Sequence, residues 1–279
     1  MLACANRHRF DTNRRGFASL VVGSRKLIGD SPAMLDARDT FLERGWYAEL
    51  RSALGALVAT ESPGRVIDIG CGTGYYLRGV LASTTAAAAH PTARSGPEHP
   101  QSPDPGVRAL AMDLSAAAVA RTVRSGLADD SAMTQGLVAD VWSPLPIRNG
   151  AADVLINVFA PRNPAEFHRI LGPGALLAVV VPHPSHLQEL QAAGLALAVH
   201  DNKSDDLIGS LASGFVLEGT EDLSRVLTLS PDDVAALIGM GPSSHHAPHS
   251  ASSSSPSGER TSTDVTVAFR LLAFRRTGV

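Results

Sequence analysis

The chain has 279 residues, 44% of them hydrophobic, and a formal net charge of −3. That length suits one large domain, or one domain with a small appendage, and so small a bulk charge confines any nucleic-acid footprint to a local basic segment. Two cysteines, Cys4 and Cys71, exclude a disulfide framework, and the lack of an apolar leader or a membrane-length apolar run makes a soluble cytoplasmic protein the expectation.

Residues 1–30 carry Arg7, Arg9, Arg14, Arg15, Arg25 and Lys26 against Asp11 and Asp30. On charge alone this segment reads as a solvated basic arm. "DSPAMLDARDTFLERGWY" follows as a capped helix, with Ser31 at the N-cap, Pro32 in the first turn and Gly45 as the stop. Met34, Leu35, Phe41 and Leu42 recur at helical spacing and are read as core. From Arg65 strands and helices alternate. "RVIDIG", "VRALAMDLS", "GLVADV" and "ADVLINVF" read as strands, and "YYLRGVLAS", "AAAVARTVRSG", "NPAEFHRILGPG" and "SHLQELQAAG" as helices. "ALLAVVVP" is a nearly unbroken apolar strand of the kind covered on both faces. The alternation predicts an α/β fold with a parallel, doubly wound sheet. Near the end, "RVLTLS" and "VTVAFRLLAF" surround a short helix, "SPDDVAALIG", and are expected to form an antiparallel edge of the same sheet.

Two segments fall outside this pattern. Residues 84–106, rich in alanine, proline and histidine, are expected to be a disordered insertion, and serine-rich 243–262 another. His245, His246 and His249 lie in the second; a loop without fixed geometry is the better reading than a metal site. The predicted division is therefore a basic arm, 1–30, and a catalytic-type domain, 31–279.

The chemistry concentrates at "VIDIGCGTGYY". A glycine-rich turn after a strand lets backbone approach a cofactor closely. The glycines here are Gly70, Gly72 and Gly74, spaced G-x-G-x-G with Thr73 among them, not the G-x-G-x-x-G of nicotinamide and flavin sites. Asp68 precedes Gly70. A carboxylate there repels a pyrophosphate and suits a cationic ligand bearing an amino group. The pattern resembles the first motif of class I S-adenosylmethionine-dependent methyltransferases, and that resemblance implies a Rossmann-like doubly wound sheet. Asp113, followed by Leu114, ends the second strand and would bond the ribose hydroxyls. It lies further beyond Asp68 than the roughly 20 residues usual in such folds, and the insertion accounts for the excess. Asp140 near the end of the third strand would accept from the adenine amino group, with the Val141 backbone against the ring. Read singly, each acid is more often a helix cap or a turn residue, and it is their order along the chain that favours the cofactor reading.

A narrower resemblance covers nearly the whole chain. "CANRHRFD", "GDSPAMLDARDTFLERGWY", "VIDIGCGTGYY", "NVFAPRNPAEFHRILGPG", "HPSHLQEL" and "MGPSSHH" occur in this order. Together they resemble the bacterial 23S ribosomal RNA guanine-N1 methyltransferases, and "ADVWSPLPIRNGAADVLINVFAPRNP" is similar to the actinobacterial branch that confers macrolide resistance. The resemblance implies methyl transfer to N1 of a guanine in an rRNA hairpin, with the basic arm on phosphates. It implies that Tyr47 packs on the cofactor and that His186 lies beside it; without it, Tyr47 reads as core and His186 as the start of a helix. It also implies a small N-terminal zinc domain, of which this chain shows only the Cys4 and His8 half, so no tightly bound zinc is expected. It permits a homodimer. Asn157, Phe159 and Pro161 would face the methyl group, with Phe159 stacking on the target base. Asp153 and His186 remain alternatives for the proton acceptor. The tryptophan of that branch is replaced by His245. A small-molecule methyltransferase and a non-catalytic RNA-binding relative are the rival readings.

Overall fold

The computed structural model describes residues 2–3, 9–10, 12–14, 16–20, 29–89, 106–126, 132–197, 203–241 and 261–278. In chain order the strands are β1 (Leu2–Ala3), β2 (Arg9–Phe10), β3 (Phe17–Ser19), β4 (Arg65–Ile69), β5 (Val107–Asp113), β6 (Ala132–Val138), β7 (Ala152–Val158), β8 (Leu171–Pro182), β9 (Phe215–Leu229) and β10 (Thr263–Arg276). The helices are α1 (Pro32–Glu43), α2 (Ala48–Ala59), α3 (Tyr75–Ala89), α4 (Ala116–Gly126), α5 (Pro164–Ile170), α6 (Gln188–Ala192), α7 (Lys203–Leu211) and α8 (Pro231–Gly239).

β1 and β2 pair on their own; the other eight strands form one sheet in the order β3-β6-β5-β4-β7-β8-β10-β9. The chain starts the central sheet at β4, works outward on one side through β5 and β6, then returns to β7 on the other. Strand order thus reverses between β4 and β7, and an open α/β sheet binds ligands outside the carboxyl ends of the strands at such a point. β10 runs antiparallel to both β8 and β9, the edge expected from the tail.

The apolar runs divide by a period of two. Val66 of β4 and Leu176, Ala178 and Val180 of β8 join one cluster with α1 to α4 and α8. Ile67 and Ile69, with Leu177, Val179 and Val181, join the other with α5 and α7. The ends are set locally. Ser31 Oγ accepts from Met34 N–H at 3.2 Å, Asn163 from Glu166 at 3.3 Å and Ser230 from Asp233 at 3.2 Å, each followed by a proline that needs no partner for its nitrogen. Gly45, at φ +81°, takes the left-handed position after α1.

Three expectations need correction. The segment Thr84–Ala89 is helical: the alanines, the best helix formers, carry α3 past the threonines, and Thr84 Oγ1 donates to Leu81 O at 2.9 Å. Residues 171–174, read with the helix "NPAEFHRILGPG", open β8 instead. Leu171 already has extended backbone, is buried, and pairs with Ala152. Nor is the basic segment wholly an arm, because Phe17 and Ala18 are buried where β3 adds to the sheet beside β6. Among the described residues no helix is long and apolar enough to cross a membrane.

Candidate functional site

The glycine turn leaves β4 at the switch point. Gly70 N–H and Cys71 N–H both donate to Met112 O, at 2.8 and 3.0 Å, which locks the turn onto the end of β5. Gly70, Gly72 and Gly74 all have positive φ, at +84°, +52° and +78°. A Cβ on Gly70 would lie 2.2 Å from Ala160 Cβ, in the loop after β7, and one on Gly72 would lie 3.0 Å from Arg38 Nη1. Conformation demands glycine at all three positions, and at Gly70 space does too.

The acids flank this turn. Asp68 is buried, 3% exposed, and its carboxyl is pushed up to about 8, first by burial and then by the charge of Asp113. Asp113 accepts Gly72 N–H at 3.0 Å and Ser115 N–H at 2.8 Å. Burial raises it more than these bonds lower it. Two carboxylates so placed favour a ligand that brings positive charge and hydroxyl donors. Asp140 accepts Trp142 N–H at 3.0 Å and the Ser143 hydroxyl at 3.2 Å. Asn163 ties the loops after β6 and β7 together by donating to Val141 O at 3.0 Å. Leu114 follows Asp113 and is half-buried, and Thr73 is buried with its Oγ1 unpartnered.

Asn157, near the end of β7, is fully buried. Its amide nitrogen donates to Ile69 O at 3.0 Å and to Pro161 O at 3.1 Å. With both N–H groups committed, the amide orientation is settled, and Oδ1 is left as a buried acceptor without a partner. Phe159 follows at φ +54°, with its N–H on Val180 O at 3.1 Å and its ring 42% exposed. An aromatic side chain in the left-handed region costs on the order of 1–3 kcal/mol, and such strain gathers at functional sites.

Phe159 belongs to a ring cluster whose hub is Phe269 of β10. Ring centroids lie 4.7 Å from Phe269 to Tyr47, 4.9 Å to His186 and 5.5 Å to Phe159. Tyr76 stands 6.3 Å from Phe159. The turn after β8 brings His186 here: His183 N–H donates to Ala268 O at 3.0 Å and Leu187 N–H to Thr266 O at 2.7 Å. His186 Nδ1 accepts Ala268 N–H at 3.1 Å, which puts the proton of the neutral ring on Nε2. Burial holds the ring down to about 4, so it is neutral at physiological pH. His186 precedes α6 instead of opening it. The Tyr47 hydroxyl is buried without a partner, and burial raises its pKa.

The structure thus gathers Tyr47, Asp68, the glycine turn, Asp113, Asn157, Phe159 and His186 around one end of the sheet. Asp153 is not among them. It sits at the opposite end of the strands, accepting Gly64 N–H at 3.1 Å and Arg65 N–H at 2.9 Å, and is removed as a proton acceptor. His186 is removed as well, because its outward nitrogen already carries a proton. Sequence reasoning missed Arg38, Tyr76 and Phe269. Phe269 had no signal beyond an apolar strand, and Arg38 looked like one more charge on an amphipathic helix. Of the basic segment, Arg14 is exposed and Arg9 lies in β2. Arg7, Arg15, Arg25, Lys26, Cys4, His8 and His245 lie outside the described residues. Among those described, no group of three or more His, Cys, Asp or Glu is placed to hold a metal.

No family model matches the chain. Among curated proteins, a 23S rRNA (guanine(748)-N(1))-methyltransferase of Streptomyces fradiae is 39% identical over 249 residues, 88% of this chain and 80% of that one. A protein of Micromonospora griseorubida, provisionally named a 23S rRNA (guanine-N(1)-)-methyltransferase, is 31% identical over 98% of this chain and 90% of its own. Solved structures resemble the chain weakly. One is the N-methyltransferase NodS of Bradyrhizobium japonicum with S-adenosyl-L-homocysteine, at TM-score 0.47 and 10% identity, covering 88% of this chain and 100% of that one.

Proposed function

Because the chain belongs to the 23S rRNA guanine-N1 methyltransferase family, we propose that it methylates N1 of a guanine in a hairpin of 23S ribosomal RNA, in the cytoplasm, with protection from macrolides as one consequence. Within this chain the observation that carries the reading is exposed, strained Phe159, set against buried Asp68 and half-buried Asp113 beside the glycine turn.

The residues fit S-adenosylmethionine. Asp68 would balance its positive charge, Asp113 would take the ribose hydroxyls, and Asp140 with the Val141 N–H would meet the adenine. Gly70, Gly72, Thr73 and Gly74 would line its backbone-tight side, with Leu114, Tyr47 and His186 as apolar and edge contacts. When bound, the cofactor supplies an electrophilic methyl group on a sulfonium. The chain's own contribution is alignment, which by itself is worth several orders of magnitude in rate.

Guanine is taken from a loop, where unstacking costs a few kcal/mol at most. Phe159 offers its exposed ring to the base. Asn157, fully buried, holds the loop that carries Phe159: its amide ties Ile69 O at the end of β4 to Pro161 O. The proton that N1 loses as it takes the methyl group passes to solvent water, since Asp153 and His186 are both removed as acceptors. His186 Nε2–H is a donor in the same ring cluster. Arg7, Arg9, Arg14, Arg15, Arg25 and Lys26 would contact RNA phosphates, which position but do not specify.

Incubation with tritium-labelled S-adenosylmethionine and unmodified 23S rRNA tests the reading. Methylation at N1 abolishes Watson–Crick pairing, so reverse transcription must stop at one hairpin guanine, and the stop must vanish without the cofactor. Label confined to small molecules, or RNA binding without label, overturns it. The same preparation on a sizing column with light scattering decides between the monomer and the homodimer that the family resemblance permits.

A further inference from the structure

We propose that Arg38 is the cation of this site and that it receives the carboxylate of the amino-acid end of S-adenosylmethionine; the assignment rests on the cofactor reading above. Arg38 projects from α1 onto the glycine turn. Its Nη1 occupies the space a side chain at position 72 would need, 3.0 Å from where that Cβ would stand. Nη1 also pairs with Asp30, and Nη2 donates to Met240 O at 2.9 Å, at the end of α8.

The site needs such a group. Asp68 and Asp113 together welcome an ammonium or a sulfonium and repel a carboxylate, whereas the amino-acid end of the cofactor carries both signs. Burial raises both Asp113 and Tyr76, and the Arg38 charge reaches each and offsets a small part of that rise. Other arginines near the turn are held by protein groups: Arg78 is bound to Thr73 O, Ser125 and Glu43, and Arg162 donates to Ala160 O at 3.3 Å. A guanidinium has five N–H donors in a planar fork suited to carboxylates. Asp30 and Met240 each take one, and the side chain is 24% exposed, so donors remain for a ligand.

Two ligands separate carboxylate recognition from a structural tie. S-adenosylhomocysteine keeps the amino-acid end, and 5′-methylthioadenosine lacks it. Calorimetric titration of both into wild type, Arg38→Gln and Asp30→Asn is the test. Arg38→Gln is expected to weaken S-adenosylhomocysteine on the order of ten- to a hundredfold, the size of a lost charged hydrogen bond, while leaving methylthioadenosine within about twofold. Asp30→Asn is expected to keep the binding of S-adenosylhomocysteine, because it frees the guanidinium. Equal losses on both ligands, no loss on either, or the same selective loss in Asp30→Asn would overturn the assignment. If Arg38→Gln does not fold, Arg38→Lys, which loses the fork, is read with the same pair: a selective loss supports the assignment and an equal effect overturns it. Wild-type protein that binds neither ligand would sink the cofactor reading itself.

Discussion

Asp68→Asn should make the ligand-free protein more stable and a poorer binder at once. Asp68 is 3% exposed and its carboxyl is raised from 3.8 to about 8, by burial first and the Asp113 charge second. In the unfolded chain it titrates near 3.9. Between about pH 4 and pH 8 the folded protein therefore holds a proton that the unfolded chain has released. Stability falls as pH rises through that window and levels off above pH 8. Roughly four pKa units at 1.36 kcal/mol each set an upper limit of about 5 kcal/mol on the fall. Asparagine cannot ionise, so the variant escapes the fall. Scanning calorimetry without ligand, from pH 5 to pH 9, should show the two proteins close together at pH 5. The variant should melt progressively higher toward pH 8, by roughly 2–4 °C per kcal/mol. An Asp68→Asn protein melting at or below wild type at pH 8 would refute the reasoning, because the buried charge would then be compensated by something other than the ligand. In the same variant, affinity for S-adenosylmethionine should drop at least tenfold at pH 8, since about 1.4 kcal/mol of lost charge attraction already gives that factor.

Three further outcomes are expected. Gly70→Ala should cost on the order of 3 kcal/mol and abolish cofactor binding, because the new Cβ meets Ala160 Cβ at 2.2 Å and φ is +84°; chemical denaturation and titration calorimetry read both, and a variant of wild-type stability and affinity would contradict the geometry. The pH–rate profile should show no His186 limb near pH 6.5, because the ring titrates at about 4 with Nδ1 on Ala268 N–H. Its contribution to stability runs opposite to that of Asp68: the neutral ring is favoured folded, so stability is lost as pH falls from 6.5 toward 4. A His186 resonance titrating near 6.5 by NMR would be the contrary result. Phe159→Ala should lower kcat/KM for RNA by roughly ten- to a hundredfold, the worth of one stacked base. Its S-adenosylhomocysteine affinity should stay within about twofold, and a loss of affinity as large as the loss of rate would make Phe159 a cofactor contact instead.

Much of the glycine turn and its flanking acids could be read without coordinates, and for local reasons. Gly70, Gly72 and Gly74 sit in one turn, where the need for positive φ shows in the spelling. Asp68 and Asp113 end adjacent strands, and period-two alternation announces the strands. Ser31-Pro32 and Ser230-Pro231 spell helix starts through contacts only three residues long. The misses share a different cause. Thr84–Ala89 was read by composition as loop, while alanine's helical preference continued α3. Asp153 and Asp68 look alike as acids in β-rich runs, yet lie at opposite ends of the sheet, because one is the second residue of its strand and the other the last but one.

What the sequence by itself determined is the doubly wound sheet, the glycine turn and the sign of its ligand, since each depends on residues close together in the chain. Only the tertiary structure decided which distant groups gather beside that turn. Phe269 reaches His186 and Tyr47 through the antiparallel pairing of β10 with β8. Arg38 reaches Gly72 through the packing of α1 over the turn. The protonation of His186 follows from one backbone N–H on β10. These contacts join residues dozens to hundreds of positions apart, and no local preference encodes a partner at that distance; the burial of two hydrophobic faces on one sheet brings them together.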